Sequence, residues 1–157
     1  MGEADHMIRF VLAIPLAVAL MLLAATSSSA TSIFTQTIHN DTETFIAATP
    51  CVEGLATITT TSNAVVHTTV LDGGTAHGTF TQAGTFTLVP LDTTAQTISG
   101  HFAIWGGFNV NAGNFETTFT FDLAGRYADG TPFAAHAVDH LNTSPTGMAN
   151  FFTKLHC

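Results

Sequence analysis

From position 101 to position 123 the chain repeats with a period of two. Even positions carry Phe102, Ile104, Gly106, Phe108 and Val110, and after segment 111–114 the odd positions carry Phe115, Thr117, Phe119, Phe121 and Leu123. The residues between them in the second run are Glu116, Thr118, Thr120 and Asp122, a face suited to water. Successive side chains of a strand point to opposite sides of a sheet, so this alternation describes two half-buried strands. It does not fit a helix, whose apolar residues recur at three or four. Threonine, phenylalanine, valine and isoleucine also crowd the rest of the chain beyond residue 30, and these side chains fit a pleated surface.

Turn signals set the registers. A two-residue loop at Ala112-Gly113 pairs Asn111 with Asn114 and brings the two apolar faces together, with Phe108 opposite Thr117, Ile104 opposite Phe121 and Phe102 opposite Leu123. The next dipeptide, Asp129-Gly130, suits a two-residue type I′ hairpin and predicts Leu123 opposite His136, Phe121 opposite Val138 and Phe119 opposite His140. The same reading gives strands at 33–39, 54–61, 65–71, 76–90, 96–110, 114–127, 131–141 and 147–155, with a turn at Ser62-Asn63 among the others. Eight strands joined in order predict an all-β, up-and-down antiparallel barrel over a single domain, 31–157. The alternative is an open β-sandwich.

The segment before that domain reads as an export signal. FVLAIPLAVALMLLAA follows Arg9 and precedes TSSSA, with small residues Ser28 and Ala30 placed for cleavage. Its sixteen residues would span roughly 24 Å as a helix, short of the ~30 Å hydrocarbon core, so residues 1–30 are expected to be a signal peptide, with no lasting membrane anchor after cleavage. Translation is expected to start at Met7, because the upstream Glu3 and Asp5 have the wrong sign for the start of such a signal. An exported chain with two cysteines predicts a Cys51–Cys157 disulfide. Closing so long a loop is worth on the order of 4 to 5 kcal/mol by loop-closure entropy.

Charge excludes one large class of partner. Only 9% of the residues are Asp, Glu, Lys or Arg, and the net charge is −8. Beyond residue 30, Arg126 and Lys154 are the only strong bases, so nothing supplies the cationic footprint that nucleic acid requires.

The succession VVHTTV, GGTAHGTFTQAGTF, ISGHFAIWGGFN, FTFDLAGRYADGTPFAAHAVDH and a final cysteine resembles a family of small secreted actinobacterial all-β proteins. The resemblance implies export and a strand-and-turn fold, but no reaction. In strand number and meander order the reading is also similar to calycin and allene-oxide-cyclase or dirigent barrels, an analogy of fold alone.

Candidate chemistry centres on histidine. On the type I′ register His136 and His140 face inward with Phe119 and Phe121, and with Ile104 and Phe108 they would form an apolar cavity whose few polar groups orient a ligand; a three-residue Ala128-Asp129-Gly130 loop would instead turn both histidines outward. Four residues apart on one strand, the two imidazoles lie about 13 Å apart and cannot share a metal. A three-residue loop at Asp72-Gly73-Gly74 would keep His67 and His77 on one face, diagonal to each other, and a two-residue loop would put them on opposite faces. No metal or cofactor is expected. Asp122 and Asp139 are expected on the outer face, as is Trp105 beside Phe133 and Leu141, while Gly106-Gly107 suggests a bulge. Three functional readings follow. The first is a secreted barrel that binds a small apolar or amphipathic molecule without catalysis. The second is an isomerase or cyclase using His136 or His140 as acid and base. The third is an extracellular interaction protein whose barrel is filled by its own side chains.

Overall fold

A computed structural model describes residues 31–157, apart from Ala112, Pro145, Met148 and the side chain of Asp72. The expected signal peptide, its cleavage site and the Met7 start lie outside the described residues. Seven strands follow one another: β1 (Ser32–Thr49), β2 (Val52–Val70), β3 (Ala76–Pro90), β4 (Ile98–Asn111), β5 (Asn114–Tyr127), β6 (Pro132–Thr143) and β7 (Ala149–His156). Each pairs antiparallel with its sequence neighbour in a single sheet ordered β1 to β7. No ladder joins β1 to β7 among the described residues.

The eighth strand disappears because Ser62-Asn63 is not a turn. The segments expected at 54–61 and 65–71 form one continuous strand, β2, paired without interruption to β3. Ser62 is buried, and its hydroxyl accepts a hydrogen bond from Gln82 Nε2 (2.8 Å). Asn63 instead serves the neighbouring strand. The β1–β2 register shifts between Ile38 and Asp41, where Asn40 adopts a φ of 51° and its N–H donates to Asn63 Oδ1 (3.0 Å). This bulge lets β1 run on to Thr49, past the expected end at residue 39. Pro50 and Cys51, the latter at φ 66°, make the tight corner into β2.

The β4–β5 register is the one the sequence implies: Phe108 opposite Thr117, Ile104 opposite Phe121 and Phe102 opposite Leu123. At β5–β6 the expected register is wrong by one residue. Leu123 faces Ala135, Phe121 faces Ala137 and Phe119 faces Asp139. The hairpin closes on Tyr127 and Thr131, with Tyr127 N–H donating to Thr131 O and Gly130 N–H to Tyr127 O (both 2.9 Å), so the loop holds three residues and not two. Gly130, at φ 88°, supplies the left-handed residue of such a loop.

Laid flat, seven strands at about 4.8 Å spacing would separate β1 from β7 by roughly 29 Å. Yet Cys51, at the β1–β2 corner, is disulfide-bonded to Cys157, just beyond β7, with their Cα atoms 5.5 Å apart. The sheet is therefore curved enough to bring the β1–β2 corner to the end of β7 at one rim, without closing. The core lies at that rim and unites Ala47 of β1, Ile58 of β2, Phe86 and Leu88 of β3, Ile98 of β4, Leu123 of β5 and Phe133 of β6. Burying each large side chain contributes about 1.5–3 kcal/mol. Loops at the same rim are tied together: Gln96 Nε2 donates to Asp129 Oδ2 (2.9 Å), and Asp129 N–H donates to Gln96 Oε1 (3.0 Å). The Gln96 amide, helped by the Thr131 N–H, holds the Asp129 carboxyl below the usual range.

Phenylalanine and glycine interlock on the inner face. Along β3 and β4 the opposed pairs are Gly78 with Phe108, Phe80 with Gly106, Gly84 with Phe102 and Phe86 with Gly100. A Cβ at Gly78 would lie 2.6 Å from Phe108 Cζ, and one at Gly106 would lie 2.6 Å from Phe119 Cβ. At Gly78 the Phe108 ring thus lies where a side chain would otherwise extend, while at Gly84, Gly100 and Gly106 the neighbouring strand's backbone lies that close. Pairing runs unbroken through Gly106 and Gly107, so the expected bulge there is absent.

Candidate functional site

The concave face gathers part of the expected site and omits its polar half. Phe108, Phe119 and Phe121 are buried on the inner face, and Ile104 is partly buried beside them. His136 and His140 are not with them. The three-residue β5–β6 loop shifts the register by one, and because side chains alternate, that shift turns both imidazoles to the convex surface. There His136 Nδ1–H donates to Asp122 Oδ1 (2.5 Å), and His140 Nδ1 is hydrogen-bonded to Thr118 Oγ1 (2.7 Å). His156, opposite His136 on β7, holds its ring 6.3 Å from that of His136.

The same shift carries odd-numbered β6 residues inward. Phe133 joins the core and Leu141 lines the inner face, so neither accompanies the exposed Trp105 as a surface patch. Asp122 is on the outer face as expected, but Asp139 is inside, 6% exposed and opposite Phe119. The alternation of Phe133, Ala135, Ala137 and Leu141 carries the correct parity. The histidines and the Asp-Gly dipeptide pointed the other way. His67 and His77 do share a face, the convex one, diagonal across β2 and β3. Among the described residues no three His, Cys, Asp or Glu side chains are grouped to hold a metal ion.

Exposure varies along the concave face. On β3 the inward residues Phe86, Leu88 and Pro90 are buried, whereas Phe80 and Gln82, nearer the far rim, are partly exposed. On the edge strands the contrast is larger. Phe34 and Ile38 of β1 and Phe151 of β7 occupy inward register positions yet are 40%, 37% and 41% exposed. Among the described residues no ladder joins β1 to β7, and these edge side chains stay open to solvent.

A few polar atoms interrupt this apolar lining. Thr117 Oγ1 donates to Gly107 O (3.0 Å), and Gln82 Nε2 is used by Ser62. Thr68 Oγ1 and Gln82 Oε1 are buried without a hydrogen-bond partner, and Thr68 is only 1% exposed. Leaving such a group unpaired is costly, which makes each a point where a bound molecule would gain. Asp139 accepts one hydrogen bond, from Thr153 Oγ1 (2.6 Å), and burial pushes its carboxyl above the usual range. Phenylalanine rings flank this set: Phe80 and Phe119 have centroids 6.4 Å apart across Gly106. Chemically the face can enclose apolar surface, accept hydrogen bonds and hold one buried acid.

Comparison of the chain with models of known families, with curated proteins and with solved structures finds no match.

Proposed function

We propose that this chain is an exported β protein whose rolled sheet acts as a barrel left open between β1 and β7, and that it binds a small apolar or amphipathic molecule on its concave face without transforming it. One observation carries the reading: between buried Ala76 and buried Phe86, the inward positions of β3 that include Phe80 and Gln82 are partly exposed, beside buried oxygens that lack partners. A filled barrel would bury these positions and satisfy those oxygens. A mostly apolar concavity with a few placed polar groups is the usual make-up of a small-molecule site. Export is supported by the apolar segment before residue 31 and by the disulfide. An isomerase or cyclase working through His136 or His140 would have to act from the convex surface, where both imidazoles lie.

The test uses a neutral, environment-sensitive probe, N-phenyl-1-naphthylamine, titrated into the oxidised protein. Saturable fluorescence enhancement is expected, weakened about tenfold in Phe80→Gln, which removes ring surface worth on the order of 1.4 kcal/mol or more to the probe. His136→Ala should bind as the parent does. Absence of saturable binding to folded protein, or binding indifferent to Phe80→Gln, would overturn the proposal.

A further inference from the structure

Charge is segregated between the two faces of the sheet. Arg126 and Lys154 occupy outward register positions, as do His67, His77, His101, His136, His140 and His156, while His39 is exposed in the β1 bulge. Inward positions carry charge only at Asp41, Glu43 and Asp139, all acidic. Asp139 is the deep one. Its row across the sheet runs Phe80, Gly106, Phe119, Asp139 and Thr153, so the two rings that meet over Gly106 lie on the same face as the carboxylate.

No cationic side chain is paired with Asp139 among the described residues, and the Thr153 hydroxyl donates to it. A buried carboxylate without a counter-charge is unfavourable, and burial accordingly raises its proton affinity. Aromatic rings attract a cation through their negative faces, and more strongly where water is excluded. Thr68 Oγ1 and Gln82 Oε1, partnerless oxygens on the same face, can accept hydrogen bonds from the N–H groups of a protonated amine, whereas a quaternary ammonium would rely on the rings and the carboxylate. An anionic headgroup would meet acids and no base.

Building on the binding function proposed above, we infer that the ligand is an amphipathic organic cation, an amine or quaternary ammonium carrying an apolar chain, with its charge beside Asp139 and its chain along the phenylalanines. The experiment compares three probes of equal chain length below their micellar concentrations: octyltrimethylammonium, octyl sulfate and octanol. Calorimetry is expected to show the cation bound about tenfold more tightly than the other two, a 1.4 kcal/mol preference. Asp139→Asn should abolish that preference, while Asp122→Asn, which removes the same unit charge from the convex face, should retain it.

Equal binding of all three probes would overturn the cation assignment and leave apolar binding standing. Binding of none would overturn both proposals. A cation preference surviving in Asp139→Asn would overturn the role of that residue. Should that variant fail to fold, ring-proton NMR of the parent protein decides: the cation must shift the Phe80 and Phe119 resonances, and unmoved resonances overturn the placement.

Discussion

The two rims of the rolled sheet follow the same alternating pattern and end in opposite states. At the disulfide rim, inward residues such as Leu88 and Ile98 are fully buried, Phe86 and Tyr127 pack edge-on against Phe133, and three connections between elements are stitched together. At the far rim, Phe34, Ile38 and Phe151 also point inward yet remain open to solvent. Among the described residues the turns there bond within themselves, as Leu71 N–H does to Thr75 O and Gly147 N–H to Ser144 O. Alternation therefore decides which side chains face in. Whether those side chains become core or surface depends on their strand as well: near the far rim Thr68, Ala76 and Phe108 of the central strands are buried, whereas the inward residues of edge strands β1 and β7 stay exposed.

Removing the disulfide attacks this contrast most directly. Cys51→Ser with Cys157→Ser is expected to lose about 4 to 5 kcal/mol by loop-closure entropy, read by denaturant unfolding. If the disulfide rim is held by packing alone, the loss will be far smaller. Next in size are matched truncations on one strand. Phe86→Ala should cost about 3–5 kcal/mol as a cavity in dense core, whereas Phe80→Ala, partly exposed at the start, should cost about half as much. Equal losses would erase the distinction between rims. The smallest effect is expected at the loop stitch, where Gln96→Ala removes both hydrogen bonds to the exposed Asp129 and should lower the melting temperature only slightly.

Much of this architecture was legible in the sequence, and the errors share a cause. The β4–β5 register followed from Phe and Thr alternation because Asn111 and Asn114 bracket a loop of unambiguous length. The β5–β6 register did not, since Asp-Gly serves two-residue and three-residue loops alike. Here Arg126 Nη1 on Gly130 O (2.8 Å) and Asp129 Oδ1 on Thr131 N–H (2.8 Å) belong to the longer one. That single residue moved His136 and His140 out of the candidate site and Asp139 into it. At Ser62-Asn63, turn-forming residues were recruited into long-range bonds with Gln82 and Asn40, which local propensity cannot foresee. The apolar wall at Phe108, Phe119 and Phe121 was legible, whereas the partnerless oxygens of Thr68 and Gln82 are products of tertiary packing.

The bridge between Cys51 and Cys157 also bears on the order of folding. Every strand pairs with its neighbour in the chain, so hairpins can assemble locally and quickly. The bridge alone spans a separation of 106 residues, tying the corner of the first hairpin to the end of the last strand. In the folded molecule the two cysteines are brought together by all seven strands at once, so the bridge depends on the whole sheet and on no single hairpin.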